Sequence, residues 1–155
     1  MTNKIIGIQG DKLDKINISS DTSIFLAHEA QKLGYKIFYY TPSNLSIIKN
    51  KTYANGVFVK LNYERKKFYK IYKKQKIDVE NLKFILIRQD PPFNSEYLIT
   101  TLILDNLKKT RVINNPVAIR NVSEKLYSKK FTKYMPDTIF SNNIEEVKKF
   151  YKQNK

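Results

Sequence analysis

Four consecutive apolar residues, Phe84-Ile85-Leu86-Ile87, run straight into Arg88-Gln89-Asp90-Pro91-Pro92-Phe93. A short run with no polar face needs cover on both sides, as in the middle of a parallel sheet. Parallel neighbours in turn need crossover helices between them. The N-terminal third supplies such a unit. Lys4 to Gln9 is a β-branched run that ends at Gly10 and reads as a buried first strand. Ser19-Ser20-Asp21-Thr22-Ser23 offers several N-cap oxygens ahead of Ile24-Phe25-Leu26-Ala27, and Gly34 stops the resulting helix about three turns later. Lys36 to Thr41 reads as a second strand closed by Pro42 and Ser43. Strand, helix and strand in that order predict a βαβ unit and a mainly parallel sheet flanked by helices.

Beyond Thr41 the pattern changes. Between Ile47 and Leu61 the signals are strand-like, with alternation in Gly56-Val57-Phe58-Val59-Lys60 and a turn near Lys49-Asn50-Lys51, so an inserted hairpin is expected. Tyr63 to Lys76 interleaves Lys66, Lys67, Lys70, Lys73, Lys74 and Lys76 with Phe68, Tyr69, Ile71 and Tyr72. Because Phe68, Ile71, Tyr72 and Gln75 follow helical spacing, the expectation is a helix, either solvated with its aromatic stripe on the core or lying on a partner. After the central strand, Asn94 or Ser95 caps a helix from about Glu96 to Lys109. Leu98, Ile99, Leu102, Ile103 and Leu107 make it apolar on most faces, so it is expected to be buried or to lie in an oligomer contact. Arg111 to Asn115 reads as a strand, and Pro116 opens a helix through Arg120.

The last stretch reads as a new beginning. Ser123 to Tyr134 is expected to be helical, broken by Met135-Pro136; Thr138-Ile139-Phe140 a short strand; and Asn143 the cap of a final amphipathic helix, with Glu146 completing a capping box. A strand and helix with no sheet after them suggest a second domain whose remainder is absent, giving units of 1–122 and 123–155.

Charge and composition narrow the chemistry. The chain has 155 residues, a formal charge of +15, no Cys and one His. Disulfides, thiolate metal sites, a cysteine nucleophile and a multi-histidine metal cluster are excluded. Of its 29 basic residues 25 are Lys and 4 Arg, whereas readers of base edges favour Arg. The accompanying 19 Ile and 15 Asn against 4 Ala and 4 Gly look like the codon bias of an AT-rich genome, so no nucleic-acid partner is expected. A basic RNA- or anion-binding α/β module without catalysis stays as the alternative. The longest apolar runs fall far short of the roughly 20 residues of a membrane span, and no secretory signal opens the chain. No membrane partner and a cytoplasmic location are the expectations.

Arg88-Gln89-Asp90-Pro91-Pro92 is the most informative stretch. A guanidinium at the end of an apolar strand is costly unless it pairs with a carboxylate or reaches a ligand, and the carboxyl end of a central strand is where open α/β sheets bind ligands. Asp-Pro-Pro by itself is equally a turn. The Ser19 to Ser23 cluster can bind an anion at a helix start, although capping alone explains it. No glycine-rich phosphate loop is present, His28 reads as a packed or surface residue, and physics alone does not separate Lys125 from the other lysines.

Arg88-Gln89-Asp90-Pro91-Pro92-Phe93, followed about 20 residues later by Asn115-Pro116-Val117-Ala118-Ile119-Arg120-Asn121-Val122-Ser123-Glu124-Lys125-Leu126, resembles the prokaryotic glutathione synthetase family. Asp21-Thr22-Ser23 matches the family's segment at the opening of the first helix, and Met135-Pro136-Asp137-Thr138 its lead into the next domain. The resemblance implies an ATP-grasp ligase that joins γ-glutamylcysteine to glycine through an acyl phosphate, with ATP and Mg²⁺. It implies a Rossmann-like pre-ATP-grasp domain followed by the start of a truncated ATP-grasp domain, and a homo-oligomer, commonly a tetramer. By the same resemblance Arg88, Asp90, Asp21, Ser23 and Asn115 are on the substrate side and Lys125 contacts ATP phosphate, with no catalytic residue or metal ligand assigned. The family's phosphate-covering loop and acidic Mg²⁺ ligands lie beyond Lys155, so the 155 residues are expected to be an N-terminal portion, inactive alone and with no tightly bound cofactor.

Overall fold

In a computed structural model, residues 4–63, 67–123 and 125–154 are described. The chain divides into two compact units, Met1–Arg120 and Asn121–Lys155.

The first unit is built on a seven-stranded sheet: β1 (Ile5–Gln9), β2 (Lys36–Tyr40), β3 (Leu45–Ile48), β4 (Lys51–Leu61), β5 (Tyr69–Asp78), β6 (Phe84–Ile87) and β7 (Arg111–Ile113). β2, β1, β6 and β7 lie side by side and parallel. β4 runs antiparallel to β2 through Val57–Val59 and to β3 through Lys51–Ala54, and its opposite edge carries β5. Three pairings are therefore parallel and three antiparallel. The sheet is mixed rather than mainly parallel, because the hairpin inserted after β2 contributes strands of its own.

Alternation along the parallel strands explains the core. Ile6 and Ile8 of β1 and Ile37 and Tyr39 of β2 fall on one face with Ile24 and Ala27 of α1 (Thr22–Lys32). Phe38 and Tyr40 of β2 and Ile85 and Ile87 of β6 fall on the other with Leu104 of α2 (Ser95–Asp105). Period-2 side chains with both faces covered is the pattern expected of parallel strands. At Gly7 of β1 a Cβ would lie 2.7 Å from Leu82 Cδ1 and 3.1 Å from Ile85 Cγ1, so the side chains packed over the strand occupy the space it would need.

Local chemistry sets the helix ends. The Asp21 carboxylate accepts the Ile24 N–H (2.7 Å) to start α1, and Asn94 Oδ1 accepts the Tyr97 N–H (3.0 Å) to start α2. At the end of α1, Gly34 has φ +84°; its N–H donates to the Gln31 carbonyl and the Tyr35 N–H to the Ala30 carbonyl. That pair of bonds is a Schellman close, which requires the left-handed φ that glycine adopts without strain. On α2, Leu98, Ile99 and Leu102 are exposed, while the buried Thr100 and Thr101 donate their hydroxyls to carbonyls three residues back.

The stretch expected as a basic helix is instead β5. Of Tyr63 to Lys76, Glu64 to Lys66 lie outside the described residues. From Tyr69 onward it pairs with β4, over Leu61↔Tyr69 to Tyr53↔Asp78, with an irregularity between Phe58 and Val59. Phe68 is buried and the Tyr72 ring packs 5.9 Å from Phe58, while Lys70, Lys73, Lys74 and Lys76 face solvent. The helical spacing of its aromatics loses to the open edge of β4, which offers a ladder of backbone partners that a local pattern does not register.

The second unit follows α3 (Pro116–Asn121) and contains 3₁₀ turns over Leu126–Tyr134, kinked at Phe131, and α4 (Ile144–Gln153). Thr138-Ile139-Phe140 is irregular chain rather than a strand, with no strand partner among the described residues. Asn143 caps α4 as expected, but Glu146 does not reach its backbone. Instead the Asn143 N–H donates to Ser141 Oγ, whose hydroxyl donates to Glu146 Oε2 at 2.7 Å.

Candidate functional site

α1 covers one face of the sheet and α2 the other, so the chain leaves the carboxyl ends of β1 and β6 in opposite directions. The gap between two such ends is the ligand crevice of an open α/β sheet. Here it is a cavity of about 600 Å³ lined by Asp11, Lys12 and Lys15 after β1, Asn17, Ser20, Asp21, Thr22 and Ser23 at the entry to α1, Tyr39 of β2, and Arg88 and Asp90 after β6. A smaller cavity of about 250 Å³ adjoins it on the α2 side and shares Asp11, Lys12 and Asp90.

Arg88 leaves the end of β6, its own N–H still in the ladder with the Gln9 carbonyl (2.7 Å). Its side chain reaches the start of α1, where Nε donates to Ser23 Oγ (2.9 Å) and Nη2 to Thr22 Oγ1 (2.7 Å). Both acceptors are neutral hydroxyls. These bonds orient the guanidinium without neutralising it, beside the positive end of a helix.

Two further links hold the crevice together. Asp11 Oδ2 accepts the Asp90 N–H (2.9 Å), tying the loop after β1 to the loop after β6, and the Tyr39 hydroxyl donates to the Asp11 carbonyl (2.7 Å). Burial pushes the Tyr39 phenol far above its ordinary range, and the charges of Asp21, Asp11 and Asp90 add to it, so it serves as a permanent donor. Below the loops the buried side chains of Gln9 and Gln89 are hydrogen-bonded, Gln9 Nε2 donating to Gln89 Oε1, and Gln9 Oε1 has no protein partner.

The structure thus gathers Arg88, Asp90, Asp21 and Ser23 around one cavity. Asp21 is also the helix cap and Ser23 is buried under Arg88, so the capping and ligand readings of that cluster hold for the same residues. Asn115 is not brought in. It caps α3, its Oδ1 accepting the Ala118 N–H at 3.0 Å, and lines neither cavity. Lys125 belongs to the second unit, where its carbonyl accepts from the Ser128 hydroxyl (2.6 Å). His28 stacks on Tyr63 and takes no part in the cavity. Sequence reasoning missed Asp11, Lys12, Lys15, Tyr39 and the Gln9–Gln89 pair. Gly10-Asp11 directly after the first strand was the available signal, since loops at that end of a parallel sheet line the crevice.

A model of the prokaryotic glutathione synthetase N-terminal domain matches residues 5–120. The chain belongs to this family. Similar curated proteins include the glutathione synthetases of Mesorhizobium japonicum (36% identity over 149 residues, 96% of this chain and 48% of the relative) and of Buchnera aphidicola from Acyrthosiphon pisum (35% over 150, 96% and 47%). That of Agrobacterium fabrum is 33% identical over 148 residues, 95% and 46% of the two chains. The chain spans about half the length of these relatives. The matched region contains every residue of both cavities, which places the crevice in the part that defines the family. The RNA-binding alternative gains no support from these relatives, and the basic helix on which it relied is a strand. Among the described residues, no helix is long and apolar enough to cross a membrane.

Proposed function

We propose that the chain forms the substrate-side part of an ATP-dependent ligase joining γ-glutamylcysteine to glycine, and that the larger cavity receives the dipeptide. The observation that carries this reading is Arg88, a guanidinium fixed at the switch point of the sheet by two hydroxyls and left with its charge for a ligand carboxylate. Around it, Lys12, Lys15 and Arg88 balance Asp11, Asp21 and Asp90, which suits a ligand bearing both carboxylates and an ammonium.

In this reading ATP activates the dipeptide's terminal carboxylate for attack by the glycine amine, and Lys125 contacts its phosphates at the opening of an ATP-grasp domain begun by residues 123–155. Asn115 belongs to the substrate side through its loop rather than through the cavity wall. Among the described residues, no three His, Cys, Asp or Glu side chains come together for a metal ion. The 155 residues alone are proposed to be inactive and to hold no cofactor tightly. A cytoplasmic homo-oligomer completes the proposal, and the exposed Leu98, Ile99 and Leu102 of α2 support the association.

Calorimetric titration with γ-glutamylcysteine tests the assignment. Arg88→Ala is expected to weaken binding by about tenfold or more while the melting curve stays cooperative. Equal affinities in the two proteins would remove Arg88 from the site.

A further inference from the structure

A pocket also opens at the other end of the parallel strands. Ile5 and Lys36, at the amino ends of β1 and β2, line it, whereas the crevice lies at the carboxyl ends. Its volume is about 450 Å³, within the range of roughly 300–1,000 Å³ of small-molecule sites. Its apolar lining comes from Ile5, Phe58, Ile77 and Leu82, on the face of the sheet that also carries Phe38 and Ile85. No helix residue is among the described residues that line it.

A β-bulge shapes this pocket. Phe58 pairs with Lys73 and Val59 with Ile71, so Tyr72 is an extra residue with no partner on β4. In a regular strand the neighbours Tyr72 and Lys73 would point to opposite faces of the sheet. The bulge cancels that alternation, and both residues line the pocket. The Tyr72 ring packs on Phe58, 5.9 Å between centroids, and Phe58 packs on Phe38 at 5.2 Å. Tyr72 nevertheless stays 54% exposed, so much of an aromatic surface is left for a ligand. The lysine bias of the chain accounts for how many ammonium groups it has. It does not account for a bulge that sets one of them beside an open ring.

The charge of the pocket is positive. Lys36 and Lys73 take part in none of the ion pairs among the described residues, and the Lys76 ammonium sits over the Tyr53 ring, 4.9 Å from its centroid. Asp78, the one carboxylate among the described lining residues, already accepts the Glu80 N–H at 3.0 Å as a cap. We propose that this pocket binds a small aromatic anion, its ring against Tyr72 and its charged group toward Lys36 and Lys73. Tilted or offset ring contacts and ammonium–anion hydrogen bonds are the two interactions these side chains offer. The pocket shares no lining residue with either cavity of the crevice, and the inference does not rest on the function proposed there.

The test titrates the isotope-labelled 155-residue chain with naphthyl phosphate and follows the backbone amide signals by NMR. Saturable shifts are expected at Lys36, Phe58, Tyr72 and Lys73, with Asp11 and Arg88 of the crevice unmoved. Naphthol keeps the ring and inorganic phosphate keeps the charge. Each is expected to bind about fivefold more weakly or worse, the scale of one lost ring or charged contact. Tyr72→Leu keeps an apolar side chain on Phe58, and Lys73→Gln keeps the length of an exposed one. Both are expected to weaken naphthyl phosphate about fivefold with the melting temperature unchanged. No saturable shift, or shifts confined to the crevice, would overturn the proposal. Inorganic phosphate or naphthol binding as tightly as naphthyl phosphate would do the same, because one of the two contacts would then be idle. Unchanged affinity in either variant also overturns it.

Discussion

At the scale of single residues, side chains that look ordinary in the sequence hold the crevice and its scaffold. Glu80 is one example. Its carboxylate accepts the backbone N–H groups of Lys108, Lys109 and Thr110 at 2.7 to 2.9 Å, fastening the end of the α2 connection to the turn before β6. Partial burial works to raise its pKa, but the three N–H bonds and the nearby Lys109 overcome it, so the carboxyl lies below its ordinary value. A carboxyl depressed in the folded state contributes stability above its unfolded pKa of about 4.3 and loses it as pH falls through the folded value. The melting temperature of the wild-type chain is thus expected to exceed that of Glu80→Gln at pH 7, with the gap closing below about pH 4. A gap independent of pH would mean that shape rather than charge holds the loop. Nothing in the spacing of Glu80 marked this role, because its three partners lie some 30 residues away and become its neighbours only when β6 and β7 pair. Arg88 was legible for the opposite reason. A charge at the end of an apolar run conflicts locally with its surroundings, and such conflicts collect at functional sites.

At the scale of elements, what could be read depended on whether the partner was close in sequence. The parallel strands, the caps at Asp21, Asn94 and Asn143, and the Gly34 stop are all encoded within a few residues, and each appears in the structure. Replacing Gly34 with Ala is expected to cost about 1 kcal/mol in chemical denaturation, because its φ of +84° is strained for any residue with a Cβ. The nearest atom to that Cβ, Lys4 Nζ at 3.8 Å, leaves room for it, so the loss would report backbone strain rather than crowding. β5 was misread because its place is decided by β4, across a register of nine paired residues, while its own aromatics mimic helical spacing. The Thr138 to Phe140 segment failed in the converse way, with strand-forming residues but no edge to pair with among the described residues.

At the scale of the molecule, all residues of both cavities fall within Met1–Arg120, and Lys125 lies in the other unit. On the proposed function, binding of the dipeptide and turnover of ATP are therefore expected to be separable. The 155-residue chain mixed with ATP, Mg²⁺, γ-glutamylcysteine and glycine is expected to release no ADP above background, whereas a polypeptide extended to the length of the relatives is expected to do so. Turnover by the shorter chain would overturn the proposed division of labour. The exposed strand β5 bears on the whole molecule in another way. A free strand edge is a template on which a second copy can add by backbone hydrogen bonds. Along β5 an arriving copy would have to bring its own Lys70, Lys73, Lys74 and Lys76 against the same four ammonium groups, with a net charge of +15 on each chain. The lysine bias that says little about ligands thus acts as a barrier to edge-to-edge aggregation, on the side of the sheet farthest from the crevice.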